Sequence, residues 1–177
     1  MSQEQPIDQF MPYLDHYGRP SECLASYQLR MKIFLPNWPD ELLAQWLYRH
    51  WCCAGKYSFL GFETLSFLKE EWALMSIPNR SVFDEPEFCD NFINVSDRAQ
   101  DPHDWLAKYM LQHGTWNTPV ILLDNRECGV TFPDGTSLRA PYHLLEGHRR
   151  LAFLNGLRIM NKARDTHKVW VATRATV

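Results

Sequence analysis

A single glycine separates two different residue patterns near the end of this 177-residue chain. The residues before it, Tyr142-His143-Leu144-Leu145, form a short apolar run typical of a strand, whereas residues 148 to 155 have helical spacing. A glycine at such a junction permits a sharp turn and lets backbone amides approach a ligand without a Cβ in the way. The sequence therefore predicts a strand that turns at Gly147 into a helix, which starts near His148 and stops at Gly156.

Alternating helix and strand patterns surround this junction. Asp101-Pro102-His103-Asp104 predicts a helix start, and Gly114 predicts its left-handed stop. The run from Thr118 to Asn125 contains an early proline and then the continuous apolar residues of a buried strand. A hairpin is expected around Pro133-Asp134-Gly135, and a last strand over residues 167 to 172. These elements predict a small mixed sheet with helices, which is an α+β fold.

The first part of the chain has helical spacing instead. We predict one helix from about Pro39 to Cys52 and a second from about Phe59 to Leu74, each with an aromatic stripe that we interpret as core. Ile77-Pro78-Asn79-Arg80 interrupts the pattern. We therefore divide the chain into a helical N-terminal region, residues 1–78, that packs on the core, and a domain of residues 79–177. A first strand of the sheet is expected near Leu74 to Pro78.

The composition excludes several classes of function. A net charge of -3 and a pI near 6.1 disfavour duplex DNA as a partner, because sequence-independent binding to DNA normally needs a basic face. The longest apolar runs are far shorter than the roughly 18 residues of a membrane span. Residues 1–15 lack the basic and apolar regions of a signal peptide. We expect a cytoplasmic protein with reduced thiols and no membrane partner.

Five cysteines and seven histidines occur without the spacing of a metal site. The cysteines form no CxxC pair, and we interpret the adjacent Cys52 and Cys53 as small buried apolar residues. No metal-ligand set is assigned from these residues. The five cysteines are Cys23, Cys52, Cys53, Cys89 and Cys128.

The residues around Gly147 suit an anion. The positive end of the helix dipole and its first amides attract phosphate, and Arg149 and Arg150 add charge and bidentate donors. Glu146 is a candidate general base or metal-facing carboxylate, and His148 can titrate near neutrality or donate to a phosphate. Two plainer interpretations stay open: the arginines as solvated surface charges, and Glu146 as the partner of a neighbouring arginine.

The order of elements, with Gly147-His148-Arg149-Arg150-Leu151-Ala152 as its motif, resembles the amino-terminal domain of ParB-type proteins, which share their fold with sulfiredoxin. The resemblance spans about residues 104 to 173. It implies that Gly147 and Arg150 contact the phosphates of a nucleotide, CTP or ATP in the family, and that His113 and Gly114 lie beside that nucleotide.

The motif departs from two branches of this family. Sulfiredoxin has its nucleophilic cysteine where this chain has His148, so the resemblance argues against reduction of cysteine sulfinic acid. The free-serine kinases carry an Asp-Gly-His-His-Arg motif, which Glu146 and His148 match in character and Arg149 does not. The chain also ends soon after the last predicted strand, which argues against a DNA-sliding clamp.

Two functions of different classes follow as expectations. The first is a nucleotide hydrolase or phosphotransferase that uses Glu146 and His148, with a nucleoside triphosphate or diphosphate and Mg²⁺ as the implied cofactors. Asp84, Glu85 and Glu87 are candidates for holding that ion. The second is a non-catalytic regulatory or protein-interaction module, whose helical N-terminal half engages a protein partner. A nuclease is a third possibility.

Overall fold

The computed structural model describes residues 7–79, 94–127 and 129–174. It divides into two compact units, one of residues 1–67 with 173–177 and the other of residues 68–172. The proposed domain division at residue 78 stays a prediction. Within the described ranges, no helix combines the length and the apolar character that a bilayer-spanning segment needs.

Short helices build the first unit. They are α1 (Leu24–Phe34), α2 (Asp40–Leu42) and α3 (Trp51–Ala54). A π-helical turn, Leu43–Tyr48, continues directly from α2, and 3-10 turns span Ile7–Phe10, Gly55–Leu60 and Phe62–Thr64. The predicted helix from Pro39 to Cys52 is therefore helical but broken. A π turn accommodates an extra residue, and here it buries both Gln45 and Trp46 beside Leu47.

An aromatic cluster forms the interior of this unit. Trp38 and Trp46 stack with ring centroids 5.8 Å apart, and Phe62 meets each of them edge-on at 5.8 Å. All three side chains are at most 2% exposed, and the Trp38 indole donates to the Phe62 carbonyl at 3.0 Å. The interpretation as core is confirmed for Trp46 and Phe62, which belong to the two predicted stripes.

The helix predicted from Phe59 to Leu74 is wrong, because most of this segment is strand β1 (Leu65–Ala73). The strand expected near Leu74 to Pro78 is also wrong, since a 3-10 turn occupies Leu74–Ser76. β1 lies at an edge of the sheet beside β4, and its exposed positions do not alternate regularly. Pairing with a distant strand decides this conformation, and local spacing does not reveal such pairing.

Four strands form one mixed sheet in the order β1-β4-β2-β3, where β2 is Val120–Asp124, β3 is Tyr142–Glu146 and β4 is Thr166–Arg174. β2 runs parallel to β4 and antiparallel to β3, with Ile121 opposite Glu146. The end of β3 therefore lies beside the start of β2. The predicted hairpin is present as an isolated bridge between Thr131 and Ser137. The α+β fold class is confirmed.

Within the described ranges, three helices accompany this sheet: α4 (Val95–Arg98), α5 (Trp105–His113) and α6 (His148–Ile159). Side chains from α5, α6 and the strands share one apolar core that includes Met110, Val120 and Phe153. The predicted stop at Gly114 is confirmed by its φ of 67°. The predicted stop at Gly156 is wrong, because α6 continues through it to Ile159. Asn161, at φ 54°, takes the left-handed position after the helix.

Candidate functional site

The turn between β3 and α6 depends on Gly147. This residue has a φ of 102°, and a Cβ built on it would lie 2.6 Å from Cγ1 of Val120. Both facts require glycine, one through the backbone conformation and the other through the close approach of β2. Gly147 has no side chain to cap α6. The first amides of a helix have no carbonyl partner inside the helix, so the start of α6 can donate to an anion.

Arg150 lies beneath this turn and is only 8% exposed. Its guanidinium donates to the carbonyls of Thr118, at 2.5 Å, and Pro119, at 3.0 Å, and also to the carboxylate of Glu146. The interpretation of Arg150 as a solvated surface charge is therefore wrong. The guanidinium reaches back from the first turn of α6 and joins the start of β2 to the end of β3.

Glu146 is the acid that precedes the glycine. Its side chain is 12% exposed and forms an ion pair with Arg150, four residues later. The plainer interpretation, a partner for a neighbouring arginine, therefore describes this carboxylate correctly. A role of Glu146 as a general base stays a prediction.

Arg149 points to a different carboxylate, that of Asp104. The Asp104 side chain is 2% exposed and accepts from the Ala107 amide at 3.1 Å, from Arg98 Nε at 3.1 Å and from Arg149. The side chains of Arg98 and Arg149 remain 42% and 40% exposed. One buried acid thus links the starts of α5 and α6. The sequence indicated Asp104 only as part of a helix start, and nothing in it singled out Arg98.

Two histidines near the turn are neutral at physiological pH. Burial lowers the pKa of His148 from 6.5 to about 4, with Arg150 acting in the same direction and Glu146 opposing it. Burial also lowers the pKa of His143 to about 4, and His148 and Arg139 add to this effect. Nδ1 of His143 accepts from the Arg139 amide at 3.1 Å. His148 therefore does not titrate near neutrality and adds no positive charge to the turn at pH 7.

His113 and Gly114 have contacts of a different kind. The His113 ring lies 4.2 Å from the Tyr109 ring. A Cβ on Gly114 would lie 2.5 Å from the Lys162 carbonyl, and the Gly114 carbonyl accepts from the Arg164 amide at 2.9 Å. The motif residues 146–150 have other contacts: Arg150 contacts the start of β2, and Arg149 contacts Asp104. A role for His113 and Gly114 beside a nucleotide stays a prediction.

The proposed ion-binding acids Asp84, Glu85 and Glu87 lie outside the described residues. Within the described ranges there is no group of three or more His, Cys, Asp or Glu side chains placed to hold a metal ion. A Mg²⁺ ion at this site therefore also stays a prediction, which rests on nucleotide chemistry alone.

Comparison with known proteins yields no match, whether with family models, with curated sequences or with solved structures. The resemblance to ParB-type domains consequently depends on the motif around Gly147 and on the order of elements. The functional assignment must come from the geometry of the turn.

Proposed function

We propose that this protein binds a nucleotide, or a related phosphate compound, at the start of α6. The observation that carries the proposal is Gly147, which a left-handed φ of 102° and the neighbouring Val120 together restrict to glycine. Such a turn leaves the first amides of the helix without a side-chain cap, and the positive end of the dipole favours an anion there. The motif's resemblance to the phosphate-binding turn of ParB-type domains supports the same ligand.

Within this proposal the two adjacent arginines have different tasks. Arg150 builds the turn, because its guanidinium is occupied by Glu146 and by two carbonyls. Arg149 supplies charge to the ligand, because its side chain is 40% exposed and it lies in the first turn of α6. A charge-assisted hydrogen bond of this kind contributes roughly 1.5 to 3 kcal/mol, less where water screens it.

The same contacts favour a binding module over an enzyme. A general base must reach the proton that it removes, and the carboxylate of Glu146 is held by Arg150 instead. His148, with a pKa of about 4, is a weak base at pH 7. A hydrolase or phosphotransferase remains the competing proposal, in which a bound ligand releases Glu146 from Arg150.

Thermal unfolding in the presence of ATP, ADP, CTP and GTP, with and without Mg²⁺, tests the binding proposal. A ligand at 100 times its dissociation constant should add about 2.7 kcal/mol of stability. Arg149→Ala should weaken binding about tenfold, which corresponds to about 1.4 kcal/mol. Arg126→Ala is the matched control, because it removes the same charge from an exposed arginine that pairs with Asp124. Equal losses in both variants, or no stabilisation by any of these nucleotides, would contradict the proposal.

A measurement of phosphate release from the nucleotides that bind distinguishes a binding module from an enzyme. The binding proposal predicts no turnover above a protein-free blank. The enzyme proposal predicts turnover that Glu146→Gln lowers by on the order of a hundredfold, the usual scale for loss of a general base. Turnover that falls in this way in Glu146→Gln would mean that the protein is an enzyme and not a binding module.

A further inference from the structure

A pair of thiols lies in the first unit, independent of the nucleotide proposal. Cys52 and Cys53 both belong to α3, both are exposed, and their sulfurs are 3.8 Å apart. The interpretation of these cysteines as buried apolar residues is therefore wrong. The buried residue of α3 is Ala54, and the two cysteines precede it on the solvent side.

The distance between the sulfurs matches the geometry of a shared metal ion. Two thiolates bound to one tetrahedral zinc, at Zn–S distances of about 2.3 Å, are separated by about 3.8 Å. Neighbouring side chains of a helix diverge by about 100°, so a convergent adjacent pair needs suitable rotamers of both residues. The Cys52 and Cys53 side chains already have this convergent arrangement.

A disulfide between the same residues is the less favourable alternative. Consecutive Cα atoms are about 3.8 Å apart across a trans peptide, whereas disulfides usually join Cα atoms separated by about 4.4 to 6.8 Å. Bond formation would therefore distort the backbone of α3. Metal ligation needs no change in backbone conformation, since the sulfurs already have the required spacing.

We propose that Cys52 and Cys53 together chelate a thiophilic metal ion of tetrahedral preference, with Zn²⁺ as the representative ion. Binding removes one proton from each thiol and forms two metal–sulfur bonds, with no change of oxidation state. No third ligand from this chain belongs to the site among the described residues. Water or an added ligand completes the coordination. Such a site resembles an open metal centre more than a closed structural one.

Cys23 provides an internal comparison. It is also exposed, but its neighbour is the Ser26 hydroxyl, at 3.2 Å, and not a second thiol. A single thiolate binds a metal ion without the gain from an adjacent ligand, whose effective concentration is in the millimolar range or above. Cys23 should therefore contribute little to tight binding.

Titration of the reduced full chain with Zn²⁺ against a chromophoric chelator tests the proposal, with the near-ultraviolet charge-transfer absorption of Cd²⁺ as a direct readout of thiolate ligation. Cys52→Ser and Cys53→Ser should each weaken Zn²⁺ binding by on the order of a hundredfold and reduce the Cd²⁺ absorption. Cys23→Ser should change neither. A variant with serine at Cys23, Cys89 and Cys128 should retain wild-type affinity, because it keeps the pair.

Three results would contradict the proposal that Cys52 and Cys53 chelate a metal ion. They are absence of Zn²⁺ binding by the wild type, unchanged affinity in either single variant of the pair, and persistence of the Cd²⁺ absorption in the double variant Cys52→Ser/Cys53→Ser. The last result would assign the metal to one of the three remaining cysteines, Cys23, Cys89 and Cys128.

Discussion

The helices α5 and α6 begin in opposite ways. At α5 the Asp104 carboxylate accepts from the Ala107 amide, so a negative side chain already occupies the positive end of that helix. At α6 the preceding residue is Gly147, which has neither a side chain nor space for one. Arg149 and Asp104 join the two starts. Of these two starts, that of α5 has a negative side-chain cap and that of α6 has none.

Arg150→Ala should have the largest effect on stability. It leaves the partly buried Glu146 carboxylate without its ion pair and removes the donor to the carbonyls of Thr118 and Pro119. Removing one partner of a buried pair typically costs about 3 to 5 kcal/mol. Urea unfolding measures the loss, and the double change Arg150→Met/Glu146→Leu should recover part of it. A loss below about 1 kcal/mol would mean that the pair does not build the turn.

Gly147→Ala should be the next most damaging change. The alanine must adopt a positive φ, and its Cβ would overlap Val120, so we expect a loss of about 2 to 4 kcal/mol. Gly135 is the matched control, because it has a φ of 86° and a Cβ added to it would meet nothing within 4 Å. Gly135→Ala should cost only about 1 kcal/mol, the penalty of the left-handed backbone. Similar losses at both positions would show that the approach of β2 does not restrict the turn.

Asp104→Asn tests how the negative charge at the start of α5 affects stability and nucleotide binding. Asparagine still caps a helix, so the loss of stability should be about 1 to 2 kcal/mol, mainly from the contacts with Arg98 and Arg149. Nucleotide binding should become several-fold tighter, because a negative charge near the ligand is removed. Isothermal titration measures this affinity. Weaker binding in Asp104→Asn would mean that Asp104 positions Arg149 for the ligand, and that the starts of α5 and α6 act together.

The elements from α5 to β4 were predicted well because residues in this part of the chain mark where each element ends. Gly114, Pro119 and Gly147 mark the ends of elements through backbone restrictions that act locally, so the order from α5 to β4 follows from the sequence. β1 has no such marks. Its apolar residues fit helical spacing as well as strand spacing, and only the pairing with β4 determines its conformation.

In the candidate site, too, some features follow from the local sequence and others depend on long-range contacts. The turn and the helix start follow from Gly147, whereas the burial of Arg150 depends on the carbonyls of residues about thirty positions earlier. The link between Arg149 and Asp104 also joins positions far apart in sequence. Short motifs identify which residues surround a turn, but the long-range contacts decide which partner each arginine has.

The smallest effect that we predict is a dependence of stability on pH. In the unfolded chain His143 and His148 bind protons near pH 6.5, whereas in the folded protein burial lowers each pKa to about 4. The unfolded state therefore takes up more protons as the pH falls through this window, and stability is lost. Each histidine should cost about 1 kcal/mol between pH 7 and pH 5.5. His148→Gln should reduce this slope in urea unfolding, and an unchanged slope would contradict the burial of His148.

Nitrogen–proton NMR spectra recorded during a nucleotide titration test whether the nucleotide binds at the start of α6, because every backbone amide reports separately. We predict that the amides of His148, Arg149 and Arg150 shift and saturate together, while those of Trp105 and Leu106, at the capped start of α5, shift much less. Arg149→Ala should weaken the same saturating shifts. Saturable binding that leaves the amides from His148 to Arg150 unshifted would contradict binding at the start of α6, because the anion would then lie elsewhere on the protein.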